Sequence, residues 1–235
     1  MKINKVHCFF EQSGTFKNAF LKNGVPAEDY DILNDFGQTD HIIDLFSEID
    51  KAYEGKESLF DNIGECDLVF AFFPCTRFSE GSAMLMRGVK NGCEKWGDEQ
   101  RLKYSMEIHE QLHELYMRIC KLFSLCLRGG RRLIVENPST QPHYLTQYFP
   151  IKPSIIDKDR TRSGDYYKKP TQYWFVNCEP ENNVIFEQIE PVKTGRVAYD
   201  WEHFGNMKRA AKRSLIHPQY ADRFVRQFIL DGGNT

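Results

Sequence analysis

Along the first two thirds of the chain, short continuous apolar runs alternate with stretches in which apolar residues return every three or four positions. The runs at residues 5–10 (KVHCFF), 67–73 (DLVFAFF) and 132–135 (RLIV) predict buried strands, and residues 30–33 (YDIL) predict another with acidic neighbours. A helix is expected to open at Phe16 after the tight turn Gln12-Ser13-Gly14-Thr15 and to stop near Asn23-Gly24. A second begins within residues 41–46. A third, long one runs over 97–127 with Ile108, Leu112, Leu115, Ile119 and Leu122 as its apolar stripe, and Gly129-Gly130 ends it. Between the strand ending at Phe73 and this helix lies an expected loop of about twenty residues containing Gly81, Gly88, Gly92 and Gly97; such a long loop is usually functional or mobile. After Pro150 the pattern changes to Pro-punctuated strands, including 171–176, and a last helix over 218–230 should bury Tyr220, Phe224 and Phe228. Strand–helix alternation predicts an α/β, Rossmann-like fold, with a mostly parallel central sheet and helices on both faces. Residues 1–150 would form the core, and 151–235 a small C-terminal extension that completes the same domain.

Composition narrows the class. A chain of 235 residues, 41% hydrophobic and 27% charged, has the make-up of a globular domain with a sizeable core. No apolar run is long enough to span a bilayer. Residues 1–5 lead directly into a strand, so no signal peptide is expected. Seven cysteines, odd in number and without a CxxC pair, argue for reduced thiols in a cytoplasm and against a disulfide framework or a zinc ribbon. A net charge of −2 is not the footprint of a protein that coats nucleic acid by charge alone. The charge is uneven, however. Lys208-Arg209 and Lys212-Arg213 recur four residues apart, as a solvated helix face or as a local phosphate-contacting patch.

The candidate chemistry lies at strand ends. Phe73-Pro74-Cys75 closes one predicted strand, and Glu136-Asn137-Pro138 closes another. In open α/β sheets ligands bind outside the carboxyl ends of the strands, so a thiol and a carboxyl at two such ends belong to one cleft. That pair suits covalent chemistry on an electron-poor ring. The competing structural readings are a buried, inert cysteine and a helix-capping or salt-bridged glutamate.

The order Phe10-x-x-x-Gly14, Pro74-Cys75, Glu136-Asn137 and Arg160-x-Arg162 resembles the cytosine-C5 DNA methyltransferases, most strongly their short phage-type members, whose second triplet reads ENP. The resemblance implies an S-adenosylmethionine-dependent methyltransferase fold and methylation of cytosine C5 in DNA. Cys75 would be the nucleophile that adds to C6, in a Pro-rigidified turn where Arg77 is close enough in sequence to help lower its pKa. Protonated Glu136 would hydrogen-bond the ring N3. Asn137 would hold the loop, and one of Arg160 and Arg162 would contact the base carbonyl, although both stand in a charge-rich segment that also reads as a solvated loop. The cofactor would lie against Phe10, Gln12, Ser13, Gly14, Thr15 and Pro74, its carboxylate at a helix N-terminus. Asp31 or Asp35 would bind its ribose hydroxyls, and Asp44 would reach its adenine amino group. The chain departs from the family at Gln12, where the family has Gly, and at Thr15, where Gly or Ser is common. Between Val176 and His203 there is also no room for a separate target-recognition domain. DNA would then be gripped mostly through phosphates, by Arg77, Arg160, Arg162, Lys168, Lys169, Lys208, Arg209, Lys212 and Arg213.

Three alternatives compete with this reading. Gln12 in the cofactor turn suits a catalytically weak or inactive relative that binds cofactor or DNA without turnover. The missing recognition domain suits a pyrimidine methyltransferase acting on RNA or a nucleotide. His109-Glu110-Gln111-Leu112-His113 matches the HExxH helix of zinc peptidases. Its charged neighbour Glu114 and its place on the flank of the apolar stripe argue against metal, and no metal is expected.

Overall fold

The computed structural model describes residues 2–79, 81–90, 92–192 and 214–232. Lys208, Arg209, Lys212 and Arg213 lie outside the described residues. In chain order the elements are β1 (Val6–Phe9), α1 (Thr15–Lys22), β2 (Ala27–Asp31), β3 (His41–Ile42), α2 (Leu45–Tyr53), β4 (Leu68–Ala71), α3 (Gly81–Met86), α4 (Asp98–Arg128), β5 (Arg132–Pro138), α5 (Tyr144–Tyr148), β6 (Ile155–Asp157), β7 (Thr171–Val176) and α6 (Pro218–Phe228). The seven strands form one sheet in the order β3-β2-β1-β4-β5-β7-β6. β3, β2, β1, β4 and β5 pair in parallel, and β7 pairs antiparallel with both β5 and β6. This is the expected Rossmann-like α/β fold.

Two apolar cores explain why the sheet is covered on both faces. Successive side chains on a strand point to opposite faces. Phe9, Val69, Ala71, Leu133 and Val135 accordingly pack with Leu45 and Ile49 of α2 and with Leu112, Leu115, Ile119 and Leu122 of α4. Val6, Cys8, Leu68, Phe70 and Ile134 pack instead with Phe16 and Phe20 of α1 and with Tyr220, Phe224 and Val225 of α6. The stripe expected on the long helix is the buried one, and Gly129 caps that helix.

Several boundaries differ from the pattern reading. β2 begins at Ala27 and ends at Asp31, so Ile32 and Leu33 are exposed. Its charged residues hid it, because their partners come from distant positions: Glu28 pairs with Lys5 and His41, and Asp29 pairs with Lys17. His41–Ile42 is a short strand, and α2 starts only after Asp44, whose Oδ1 accepts from the N–H groups of Phe46 and Ser47. The expected long loop contains α3 and a short 3-10 turn, Cys93–Lys95. β5 continues through Pro138, which puts Glu136 and Asn137 inside the ladder, opposite Tyr173 and Gln172 of β7.

Candidate active site

Strand order sets the location. From β1 the sheet grows outward through β2 and β3 on one side and through β4 and β5 on the other, so the order reverses between β1 and β4. A crevice outside the carboxyl ends of the strands is expected at such a switch point. Phe9 is level with Ala71, and Ala71 is level with Val135. The turn after β1, the Pro74-Cys75 turn after β4 and Glu136 on β5 therefore crowd one edge of the sheet.

Backbone hydrogen bonds shape the Cys75 turn. The N–H groups of Phe78 and Ser79 both donate to the Cys75 carbonyl at 3.0 Å, and Ser79 and Ser82 hydroxyls donate to the Thr76 carbonyl. Phe73 and Phe78 are buried beneath the turn, whereas Cys75 is half-buried and in no disulfide. Asn137 Nδ2 donates to the Phe73 carbonyl at 2.7 Å and to the Glu136 carbonyl at 3.0 Å, which is the loop-holding part expected of it. Tyr144 N–H fastens the far side of the turn to the Phe78 carbonyl. Next to it His143 is fully buried, and neither ring nitrogen has a hydrogen-bond partner among the described residues; burial pushes its pKa down to about 4. Arg77 donates Nε to Gln111 Oε1 of α4 at 2.7 Å.

The two arginines separate. Arg160 opens a 3-10 turn capped by Asp159 and is fully buried, so the solvated-loop reading does not hold for it. Its Nη1 lies 3.8 Å from Glu136 Oε1, its Nη2 lies 2.5 Å from Asp165 Oδ2, and its guanidinium stacks over the Tyr220 ring. Burial works against the Arg160 charge, but Asp165, then Tyr220, Tyr173 and Glu136, more than offset it and raise its pKa. The Arg162 side chain is 85% exposed and faces Asp159 at 3.8 Å. The structure thus brings Arg160, and not Arg162, to Glu136. The Glu136 side chain is only 8% exposed, yet Oε1 has no hydrogen-bond partner among the described residues, and neither has Asn137 Oδ1 or Arg160 Nε. Arg160 Nη2 and Asp165 Oδ2 likewise make no hydrogen bond among the described residues despite their ion-pair contact; buried polar atoms are ordinarily satisfied, so this cluster has spare hydrogen-bonding capacity.

The turn after β1 differs from the expectation in one respect. Phe10 adopts a left-handed conformation (φ 59°), uncommon for a bulky residue, and its ring packs against Phe46 and Phe73. Gly14 also has positive φ (65°), and a β-carbon there would crowd Asn18 and Lys17. The first amides of α1 are not open to an outside carboxylate. Glu11 fills that end, with Phe16 N–H on Oε1 at 2.7 Å and Lys17 N–H on Oε2 at 3.1 Å. Burial raises the Glu11 pKa to about 7, against the pull of those two amides. Gln12 Oε1 accepts from the N–H of Asp35 across the gap to the loop after β2. The Ser13 and Thr15 hydroxyls bond each other at 2.9 Å and remain half-buried at the turn. Asp31 ends β2 and is nearly buried, while Asp35 lies four residues further out. Asp44 uses Oδ1 to cap α2 and is exposed.

Sequence reasoning missed Glu11, His143, Asp165 and Tyr220 as parts of this region. No local motif marks them; each enters through a contact made only by folding. Lys168 is exposed, with Asp159 at 4.0 Å, and Lys169 is half-buried. His109 and His113 are both exposed on α4, His109 with Nδ1 on the Ser105 carbonyl, and among the described residues no group of three or more His, Cys, Asp or Glu side chains is placed to hold a metal ion. A cleft of about 460 Å³ lined by Lys17, Glu28, Gln38, Asp40 and His41 lies at the β2–β3 edge, away from Cys75.

No protein-family profile matches the chain. No curated protein matches it either. Among solved structures, a methyltransferase of Entamoeba histolytica, EhMeth, aligns over 84% of this chain at 14% identity with a TM-score of 0.43, and the chain spans 59% of that protein's length.

Proposed function

We propose that this protein transfers a methyl group from S-adenosylmethionine to C5 of cytosine in DNA through a covalent adduct at Cys75. One observation carries the reading: a cysteine turn and a buried Glu136–Arg160 pair meet at the carboxyl ends of adjacent strands, tied together by Asn137. Cytosine presents a ring nitrogen beside a carbonyl oxygen. A carboxyl that donates to N3 and a guanidinium that donates to O2 match that edge.

Cytosine in a duplex must first be turned out of the stack to reach a thiol. The Cys75 thiolate then adds to C6. The S–C6 bond forms as the C5–C6 π pair shifts onto C5, and the growing charge on the ring is met at N3 by a proton from Glu136 and at O2 by Arg160. C5 is now a carbon nucleophile. S-adenosylmethionine, when bound, supplies the electrophilic methyl group that C5 takes. To finish, the C5 proton passes to water, its bonding pair restores the C5–C6 double bond, the S–C6 bond breaks, and Glu136 recovers its proton from N3.

The residues present fit the adenosine end of that cofactor. Asp31 stands at a strand end as a ribose acceptor, Asp44 is exposed and caps α2 through Oδ1, which leaves Oδ2 for the adenine amino group, and Phe10 offers a ring. The methionine end finds the Ser13 and Thr15 hydroxyls in place of α1 amides already taken by Glu11. That substitution favours a second reading, in which the cytosine site is kept but the cofactor is held weakly. Methyl transfer from radiolabelled cofactor to duplex DNA, RNA and cytidine nucleotides tests both. Transfer to DNA supports the proposal, transfer only to RNA or nucleotide moves the substrate class, and base binding without transfer to any of them supports the second reading.

A further inference from the structure

Arg160 is one buried cation between two carboxylates, and the two are not equivalent. Asp165 is the tighter partner, with Oδ2 at 2.5 Å from Nη2, whereas Glu136 Oε1 stands 3.8 Å from Nη1. Asp165 Oδ1 also accepts two backbone N–H bonds, from Tyr166 and from His217, each at 2.8 Å. Two backbone donors and the Arg160 cation meet at Asp165, whereas Glu136 Oε1 has no hydrogen-bond partner among the described residues. We infer that Asp165 is a positioning residue for the proposed reaction: its ion pair with Nη2 orients the buried guanidinium and fixes the Nη1 edge toward the base, beside Glu136.

Among the described residues, the other groups around Arg160 are neutral. Burial holds Tyr173 of β7 and Tyr220 of α6 in their neutral forms, raising both pKa values; their hydroxyls bond each other, and Tyr220 reaches Asp157 of β6. His217 receives the Gln219 N–H on Nδ1, and burial lowers its pKa. Thr171 Oγ1, 3.4 Å from Nη1, is neutral. Without the Asp165 charge, Arg160 keeps among the described residues only the looser 3.8 Å contact to Glu136 as a carboxyl partner, and the guanidinium is no longer held to one orientation.

This inference rests on the proposed cytosine chemistry, and its test separates the two. Asp165→Asn keeps an oxygen for the Tyr166 and His217 amides, removes the charge and turns an amide NH2 toward Arg160 Nη2 in place of the acceptor. The readouts are methyl transfer and, without cofactor, release of tritium from C5 of labelled cytosine DNA, in which addition at C6 is followed by protonation of C5 from solvent, loss of the tritium from C5 to water and expulsion of the thiolate. We expect a lowered melting temperature, because a buried pair is broken, and, with the variant assayed while folded, a KM for DNA within about threefold of wild type and a fall in kcat of about a hundredfold, the size of one lost electrostatic contact in the transition state. An unchanged kcat, or a loss confined to KM, overturns the role of Asp165 alone. A wild type inactive in both assays overturns the cytosine reading and this inference with it. Should Asp165→Asn fail to fold, Arg160→Met is compared with Arg160→Met/Asp165→Asn. Equal residual rates are expected, because Asp165 acts through Arg160, and a further multiplicative loss overturns the inference.

Discussion

Asn137 Nδ2 reaches from β5 to the Phe73 carbonyl at the end of β4, a buried bond of 2.7 Å between residues 64 positions apart. It joins the strand that carries Glu136 to the turn that carries Cys75. Asn137→Ala leaves two buried carbonyls without their donor, a cost of about 1–3 kcal/mol. Urea unfolding should show that loss. Rates in the C5 tritium assay should fall by more than stability alone explains, because the turn loses its register. A variant as stable and as fast as wild type would contradict the tie.

Two buried titratable groups should give opposite pH slopes in stability. Glu11 has a folded pKa near 7, above its ordinary 4.5, so its contribution is full below about pH 4.5 and is lost as pH rises toward 7. His143 has a folded pKa near 4, below its ordinary 6.5, so its contribution is present above about pH 6.5 and lost as pH falls toward 4. Each is worth at most roughly 3.4 kcal/mol at 1.36 kcal/mol per unit, and the two oppose each other between pH 4.5 and 6.5. Relative to wild type, Glu11→Gln should melt at temperatures that climb with pH across this window, and His143→Phe at temperatures that drop. Parallel curves for all three proteins would show that neither burial matters.

Cofactor affinity should distinguish Asp31 from Asp35. Asp31→Asn, at the strand end, is expected to weaken S-adenosylmethionine binding about tenfold or more by titration calorimetry, the cost of one charge-assisted bond of roughly 1.5–3 kcal/mol. Asp35→Asn, four residues out in the loop, should change it little. The reverse result would move the ribose contact outward.

Much of this architecture was legible because it rests on periodicity. The α4 stripe, the final β7 strand and the run before Pro74 announce themselves as apolar patterns. β2 did not, since its Glu28 and Asp29 look like loop residues until Lys5, His41 and Lys17 arrive from elsewhere. The same limit applies to the site. Cys75 and Glu136 are visible because each follows an apolar run. That Arg160 turns inward while Arg162 turns out depends on Asp165 and Tyr220, and no spacing rule relates those four positions.

DNA affinity should be electrostatic where the described surface permits. Arg162 and Lys168 are the exposed cations flanking the Arg160 turn, with side chains 85% and 70% exposed. Replacing both with Ala should reduce the slope of log K against log salt by about 2, near 0.9 per phosphate contact. Cofactor affinity should stay unchanged. Anisotropy on several duplexes across a salt series measures this, and an unaltered slope would remove this edge from the DNA path.

The central claim is a covalent bond between Cys75 and cytosine C6. Fluorine at C5 cannot leave as a proton does, so a duplex carrying 5-fluorocytosine should trap the protein once methylated. Intact-mass measurement after incubation with S-adenosylmethionine and denaturation should show wild type joined to the oligonucleotide plus one methyl group, with peptide mapping placing the link at Cys75. Cys75→Ala should give no adduct. An adduct that persists in Cys75→Ala, or its absence from wild type that binds both the duplex and the cofactor, would contradict the account.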